Sequence, residues 1–407
     1  MGCKVAYVPL GDLAEFESGG TPSKKDERYW NGNIPWISAR TLVGDAVYES
    51  DLSITKEGLD AGSKLAAKGS LLLLTRGSGL FKRISLAIAG KDVAYNQDIK
   101  CIRATAKGIS NRYLFYVLRT LEPAISAMLE TTGIGAGKLA TDRLRALPVP
   151  VLDEADRAKV TTFADCIYKK ISLNTKLNGY LEELLALKYS QLIMDNECKY
   201  VPLTDVIFFQ EGPGIRNWQY VYDGNGVNFI NIRCIQEHAL DLSNANQISV
   251  EETYGKYRHF LVDAGDILMS SSGTLGRYAI VRLEDLPLCM NTSVIRFRPK
   301  TDPEAYAFVY GYLTSREFYD HLTSMANGSA QVNFGPTHLK QIEIPWPEEN
   351  DMHVFNAAMM PLICLMNALR SESDRLAAIR DTLLPKLMSG EIDVSKIDLT
   401  QLNSHLA

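Results

Sequence analysis

Apolar residues arrive in short β-type runs through the first 150 residues, as at Ser70–Leu74 and Ile99–Ile102, with turns and helical stretches between them. The same texture returns at Ile267–Met269 and Val294–Phe297. Short apolar runs bounded by turn formers predict buried strands in an α/β, mixed α+β, globular fold. After Pro150, and again after Pro347, glycine and proline become scarce and helix formers dominate. In the second of these stretches Leu362, Leu369, Leu376 and Leu383 stand seven apart, with Leu365 and Ile379 between them, which is a heptad seam. The first keeps Ile167, Leu181 and Leu184 and places Asn174 and Lys188 at corresponding seam positions. One such helix is equally well explained by packing on its own domain. Two, each following a globular segment, favour pairing with each other.

The two halves are copies. Val8-Pro9-Leu10 recurs as Val201-Pro202-Leu203 at an offset of 193 residues, which also places Gly19 on Gly212, Ile37 on Ile230 and Arg40 on Arg233. IPWISAR (34–40) lies over VNFINIR (227–233), so Trp36 meets Phe229. Further on, Gly69 meets Gly265, Gly77 meets Gly273, Asn96 meets Asn291, Arg103 meets Arg298 and Pro150 meets Pro345. The offset drifts only between 193 and 196, so one duplicated unit accounts for nearly the whole chain. The expected organisation is 1–150 globular, 151–197 helical, 198–347 globular, and 348–407 helix with a tail.

Composition narrows the chemistry. The chain has 407 residues, 46% of them apolar and 22% charged. Its longest apolar run, Ala357–Met366, contains Pro361 and reads as too short to cross a bilayer. The opening MGCKVAYVPLGD has no signal-peptide core, and Ala6 stands where a myristoylation motif needs Ser or Thr, so a cytoplasmic location is expected. Seven scattered cysteines without a CxxC pair, and histidines without an HExxH, argue against disulfides or a metal site. TGIGAGKLA (132–140) imitates a phosphate-binding loop, but Thr132 replaces its first Gly and Leu139 its Ser or Thr. GSGLFKR (77–83) is an incomplete dinucleotide fingerprint. No Asn-Pro-Pro-Tyr or Asp-Pro-Pro-Tyr tetrapeptide is present. The sequence shows no catalytic constellation and implies no cofactor bound by this chain.

Charge is distributed unevenly. Residues 1–150 carry 20 Lys and Arg against 15 Asp and Glu, whereas 198–347 carry 12 against 16, in a chain of net charge −5. One basic face suffices for nucleic acid whatever the overall charge. Lys24, Lys25, Arg28, Arg40, Arg76, Lys82, Arg83 and Lys138 lie on or beside loops of the first copy. The second offers a more amide-rich set: Arg216, Arg233, Arg277, Asn327, Gln331, Asn333 and His338. Each alone is better explained as solvated surface. Together, in the same loops of both copies, they point to DNA. Trp36 is expected to anchor core, and Trp30 to pack, with stacking on an extruded base as its alternative.

These pieces carry a resemblance. GGTPSKKDERYWNGNIPWIS (19–38), the TRGSG and SSSGT loops, GSAQVNFGPTHLKQIEIPWP (328–347) and the close LLPKLMSGEID (383–393) resemble the specificity subunit of type I restriction-modification enzymes. The resemblance implies two target-recognition domains, each reading one half of a split site in double-stranded DNA. It implies two long antiparallel coiled-coil helices as spacer and as the dock for methyltransferase subunits, two of them expected, through Ile167, Leu181, Leu184, Leu362, Leu369, Leu376 and Leu383. Restriction subunits would join through that core. Catalysis would belong to the partners: S-adenosylmethionine in the methyltransferase, ATP and magnesium in the restriction subunit. The second copy departs by reading EGPGIRNWQYVYDGNGVNF where the first has its TPS–WNGNIPW phrase. Two alternatives stand beside this reading: a specificity chain serving a fused restriction–methylation enzyme, and a free-standing duplicated α/β enzyme.

Overall fold

A computed structural model describes residues 5–132, 135–236, 238–273, 275–325 and 333–394. The chain divides into two compact units, 1–171 with 375–407, and 172–374. Each unit therefore takes a globular copy together with part of both long helices, Glu154–Asp195 and Glu349–Met388.

In the first unit the central sheet runs in the order Ala14–Ser18, Ile99–Ala104, Leu71–Leu74, Leu86–Ala89, Ala46–Val47. Leu71 to Leu74 are all buried, because a central strand covered on both faces takes a continuous apolar run rather than an alternating one. The helix Asn111–Thr120 starts where the Ser110 side chain accepts from the Tyr113 N–H, and it buries Tyr113 through Leu118 in the same core. A second sheet pairs Trp30–Ile37 in parallel with Val93–Tyr95. There Trp36 packs on Ile54 and Ala94, and Trp30 meets it edge to face at 5.4 Å. Trp30 also donates from Nε1 to the Ser23 carbonyl, so both tryptophans pack.

The second unit repeats this architecture by itself. Its sheets run Ile207–Glu211, Val294–Pro299, Ile267–Ser270, Tyr278–Ile280, and Tyr220–Val221, Asn246–Ile248, Val227–Ile230, Leu288–Met290. The registers match residue for residue. Trp36 faces Ala94 across a parallel pair as Phe229 faces Cys289, and Tyr7 faces Pro150 as Tyr200 faces Pro345. Gly19 and Gly212 do the same job: a Cβ on either would lie 2.3 Å from a backbone carbonyl oxygen, of Tyr95 and Asn96 in one and of Met290 in the other. Gly69 and Gly265 both turn with φ near +90° (88° and 90°), where side chains are disfavoured.

Within the second unit the long helices pack against each other through Leu181, Leu185, Tyr189 and Leu192 on one, and Met352, Phe355, Met359, Ile363, Met366 and Leu369 on the other. Asn174 is buried in this seam and donates to the Leu369 carbonyl (3.3 Å), Glu372 (2.8 Å) and Ser373 (3.2 Å). A satisfied buried Asn of this kind specifies register in coiled coils. Within the first unit Val160, Phe163 and Ile167 share a core with Leu384, Leu387 and Met388, against which Leu376 and Leu383 pack half-buried. The Arg380 guanidinium lies 5.0 Å above the Tyr168 ring. Polar contacts hold each globular copy to its helix segments. Asp165 takes Arg112 Nε at 2.7 Å and the Tyr116 hydroxyl, and Asp374 takes Arg282 Nη1 at 2.7 Å.

The seam corrects the heptad reading in detail. Leu365 and Ile379 are exposed, and Met366 and Arg380 turn inward in their place. Leu184 and Lys188 also point outward, and Leu185 and Tyr189 carry the seam. These helices pack on a domain core as well as on each other, so the buried stripe is wide and follows the 3.6-residue period rather than a strict heptad. Glu349–Met388 is long and apolar enough to cross a membrane by length and composition, which the apolar run alone did not suggest. Met352, Phe355, Met359, Ile363, Met366 and Leu369 along it pack in the core of the second unit, while Val354 and Leu365 are exposed.

Candidate nucleic-acid interface

In the first unit the strand Leu71–Leu74 delivers the chain to a small ribbon ordered Glu130–Thr131, Gly137–Lys138, Arg76–Gly77. Lys138 faces Arg76 on one side and Glu130 on the other. Two cations directly opposite on one face of a ribbon repel, so folding alone does not explain this pair. A Cβ on Gly137 would come 3.1 Å from Leu80 Cβ, which is why the ribbon can lie on the short helix Ser78–Phe81. Leu80 is buried and anchors that helix, leaving Phe81, Lys82 and Arg83 exposed. A groove of about 470 Å³ beside it is lined by Arg40, Val43, Gly77, Gly79, Lys82 and Arg83 among others. Arg40, Arg76, Lys82, Arg83 and Lys138, distant in sequence, thus gather around one glycine-rich loop. Among the described residues Arg76, Lys82, Arg83 and Lys138 form no ion pair, whereas Arg40 is paired with Asp51.

Lys24 and Lys25 are exposed on a separate turn. Arg28 beside them is engaged: its guanidinium grips Asp26 through Nε (3.0 Å) and Nη2 (2.7 Å). The same contact holds the Asp26 carboxyl below the usual carboxylate range.

In the second unit the strand Ile267–Ser270 leads into the matching loop. Ser272 forms a β-bridge with Asn333, and the Phe334 N–H donates to the Ser271 carbonyl at 3.0 Å. Gly273, at φ +69°, lies against Ile232 of the short helix that bears Arg233, so exposed Arg233, Arg277 and Asn333 surround this loop. Arg216 is exposed at the start of the turn Asn217–Gln219. His338 accepts from the Gly335 N–H at 3.2 Å and shapes its own turn. Asn327 and Gln331 lie outside the described residues.

Sequence reasoning passed over several residues. Phe81, Trp218 and Tyr222 are large exposed aromatics beside these loops, and their signal was an aromatic set in polar, turn-forming sequence. Leu173, Leu177, Tyr180 and Leu187 were also passed over, and with Leu184, which the sequence reading did name, they form an outward apolar stripe on the first long helix, spaced alternately four and three residues apart. Burial pushes the thiols of Cys101, Cys234 and Cys289 up, the last to about 11, which leaves them inert at neutral pH.

The family model described as "Type I restriction modification DNA specificity domain" matches twice, over residues 4–183 and 196–355. The chain belongs to this specificity-domain family. Its duplicated match coincides with the duplicated registers above. Among relatives, the MjaIX specificity subunit of a type I restriction enzyme from Methanocaldococcus jannaschii is 22% identical over 416 residues, spanning 95% of this chain and 93% of that one. The EcoR124I/EcoR124II specificity subunit of Escherichia coli is 28% identical over 195 residues, 45% of this chain and 48% of that one. The crystal structure of a type I restriction-modification S subunit from M. genitalium superposes with a TM-score of 0.59 at 15% identity, covering 95% of this chain and 96% of the other. That likeness bears on the specificity-domain fold.

Proposed function

We propose that this chain is the non-catalytic DNA sequence-specificity subunit of a type I restriction-modification enzyme, each globular copy reading one half of a bipartite site. The observation that carries the reading is the duplicated loop, flanked by exposed cations in one copy and by cations and an amide in the other, on a doubly matched specificity fold. Arg76, Lys82, Arg83 and Lys138, without carboxylate partners among the described residues, are free to meet phosphates and base edges. Lys24 and Lys25 serve as phosphate contacts that position the first copy. Two methyltransferase subunits dock on the long helices, which also act as spacer. The outward stripe Leu173–Leu187 supports this, since an apolar face in heptad spacing suits partner helices. Restriction subunits join through that core, and S-adenosylmethionine, ATP and magnesium are held by the partners. The complex works in the cytoplasm, where the DNA is.

The test is reconstitution. The purified chain should bind DNA and neither methylate nor cut it. Combined with its methyltransferase and S-adenosylmethionine, it should direct methylation to one bipartite sequence. Methyl transfer by the chain alone would end the subunit reading.

A further inference from the structure

The two copies share more than their cores: they share the backbone address of one residue pair. Leu139 N–H donates to the Thr75 carbonyl at 2.9 Å, and Phe334 N–H donates to the Ser271 carbonyl at 3.0 Å. Leu139 and Phe334 are both buried and pin the returning strand in the same place. One residue earlier on that strand stands Lys138 or Asn333, and directly across from it stands Arg76 or Ser272. The address is identical and the chemistry is not. Elsewhere in the copies, several matched polar positions keep their residue type. Arg40 matches Arg233, Asn96 matches Asn291, and Arg103 and Arg298 both bind carboxylates, of Glu15 and Glu17 in one and of Asp263 and Asp266 in the other.

Phosphate contacts carry no sequence information, so two copies reading different half-sites can keep them alike; base contacts must differ. From this we infer that Arg76 with Lys138, and Ser272 with Asn333, are the base-reading pairs of the two copies. This rests on the DNA-specificity reading above and adds which residues discriminate and for what. The ribbon fits the task. A two-stranded β-ribbon enters the major groove, and side chains opposite each other on one face reach adjacent base edges. The backbone hydrogen bonds at Leu139 and Phe334 hold the pairs rigidly, as directional base contacts require. Arg and Lys match the O6 and N7 acceptors of guanine, whereas Asn matches N6 and N7 of adenine and Ser is permissive. The half-site read by the first copy therefore contains guanine, and the other contains an adenine besides any that is methylated.

The experiment is methylome sequencing of cells carrying the intact methyltransferase complex with the unaltered chain, with Arg76→Ser/Lys138→Asn, or with Asn333→Ala. The double variant should lose the guanine requirement in one half-sequence, by roughly 5- to 150-fold in discrimination at that position, and leave the other half intact. Asn333→Ala, which removes the amide, should relax only the other half. Should the double variant fail to assemble, Arg76→Lys asks the same question, because lysine loses the bidentate fork and relaxes guanine selection. Unchanged half-sequences with evenly reduced methylation would make these residues phosphate contacts and overturn the inference, while the DNA-specificity reading stood. An unaltered complex that methylated no bipartite site would remove that reading as well.

Discussion

At one edge of the first copy three short strands build a ribbon through Arg76, Lys138 and Glu130; in the second a single bridge joins Ser272 to Asn333. Behind both edges the scaffold is the same, down to the glycine that lets Gly19 or Gly212 pass within touching distance of a carbonyl. The copy with the ribbon carries excess positive charge and the other excess negative charge. The difference teaches that the duplicated fold keeps its buried constraints and lets its edge drift. Core positions are held by packing from all sides, whereas an edge side chain answers only to what it touches from outside.

The largest test of that division exchanges a whole copy. Replacing 198–347 with the equivalent segment of a relative should change one half-sequence completely and spare the other, as read by methylome sequencing; a change in both halves would break the independence of the copies. Next in size are the paired glycines. Gly19→Ala and Gly212→Ala should each destabilise their own unit by about 1–3 kcal/mol or more, because backbone must move to admit the Cβ. Hydrogen exchange resolved by unit would measure this, and a strong effect in one copy only would show that the scaffolds are less alike than their registers.

A smaller effect is expected at Lys24 and Lys25, which have no matched pair in the second copy. Reversing both charges should weaken binding to all sequences alike and flatten the salt dependence of log K by roughly 2. Altered sequence preference at undiminished affinity would contradict a phosphate role.

The smallest concerns His353, whose matched position in the first copy is Ala158. Its Nε2 lies 3.0 Å from Asp302, with Glu304 and Glu349 nearby, and the hydrogen bond to Asp302 raises its pKa above the ordinary value of 6.5. A raised folded pKa means that its stabilisation is complete below about pH 6.5 and fades as pH rises through the folded value. The second unit should therefore melt slightly lower at pH 8 than at pH 6, and His353→Gln should abolish the difference. Persistence of the same pH dependence in the variant would assign it elsewhere.

The fold was largely legible because its constraints are local or repeated. Trp36 and Phe229, Asn96 and Asn291, Pro150 and Pro345 could be matched by spacing alone; the first and last pairs occupy one register in the structure, and the N–H groups of Asn96 and Asn291 donate to the matched carbonyls of Ile37 and Ile230. The candidate interface was legible only as a set of loops. Arg28 and Arg40 read as free cations, yet Asp26 and Asp51 engage them, since a charge count does not tell which carboxylate lies within reach. Ser272 drew no notice because a serine in a loop has no signal until Asn333 is found opposite it.

The long helices mark the boundary most clearly. By itself the sequence determined that they exist, that they end each copy, and that they carry apolar residues at heptad spacing. It could not choose the buried face, because the first helix carries two stripes one residue apart: Asn174, Asn178, Leu181 and Leu185, and Leu173, Leu177, Tyr180 and Leu184. The structure buries the first, which contains two asparagines, and exposes the more apolar second. Hydrophobicity ranks a face, but what faces it decides. Leu369, Glu372 and Ser373 offer hydrogen-bond partners to Asn174, and those residues lie almost two hundred positions along the chain.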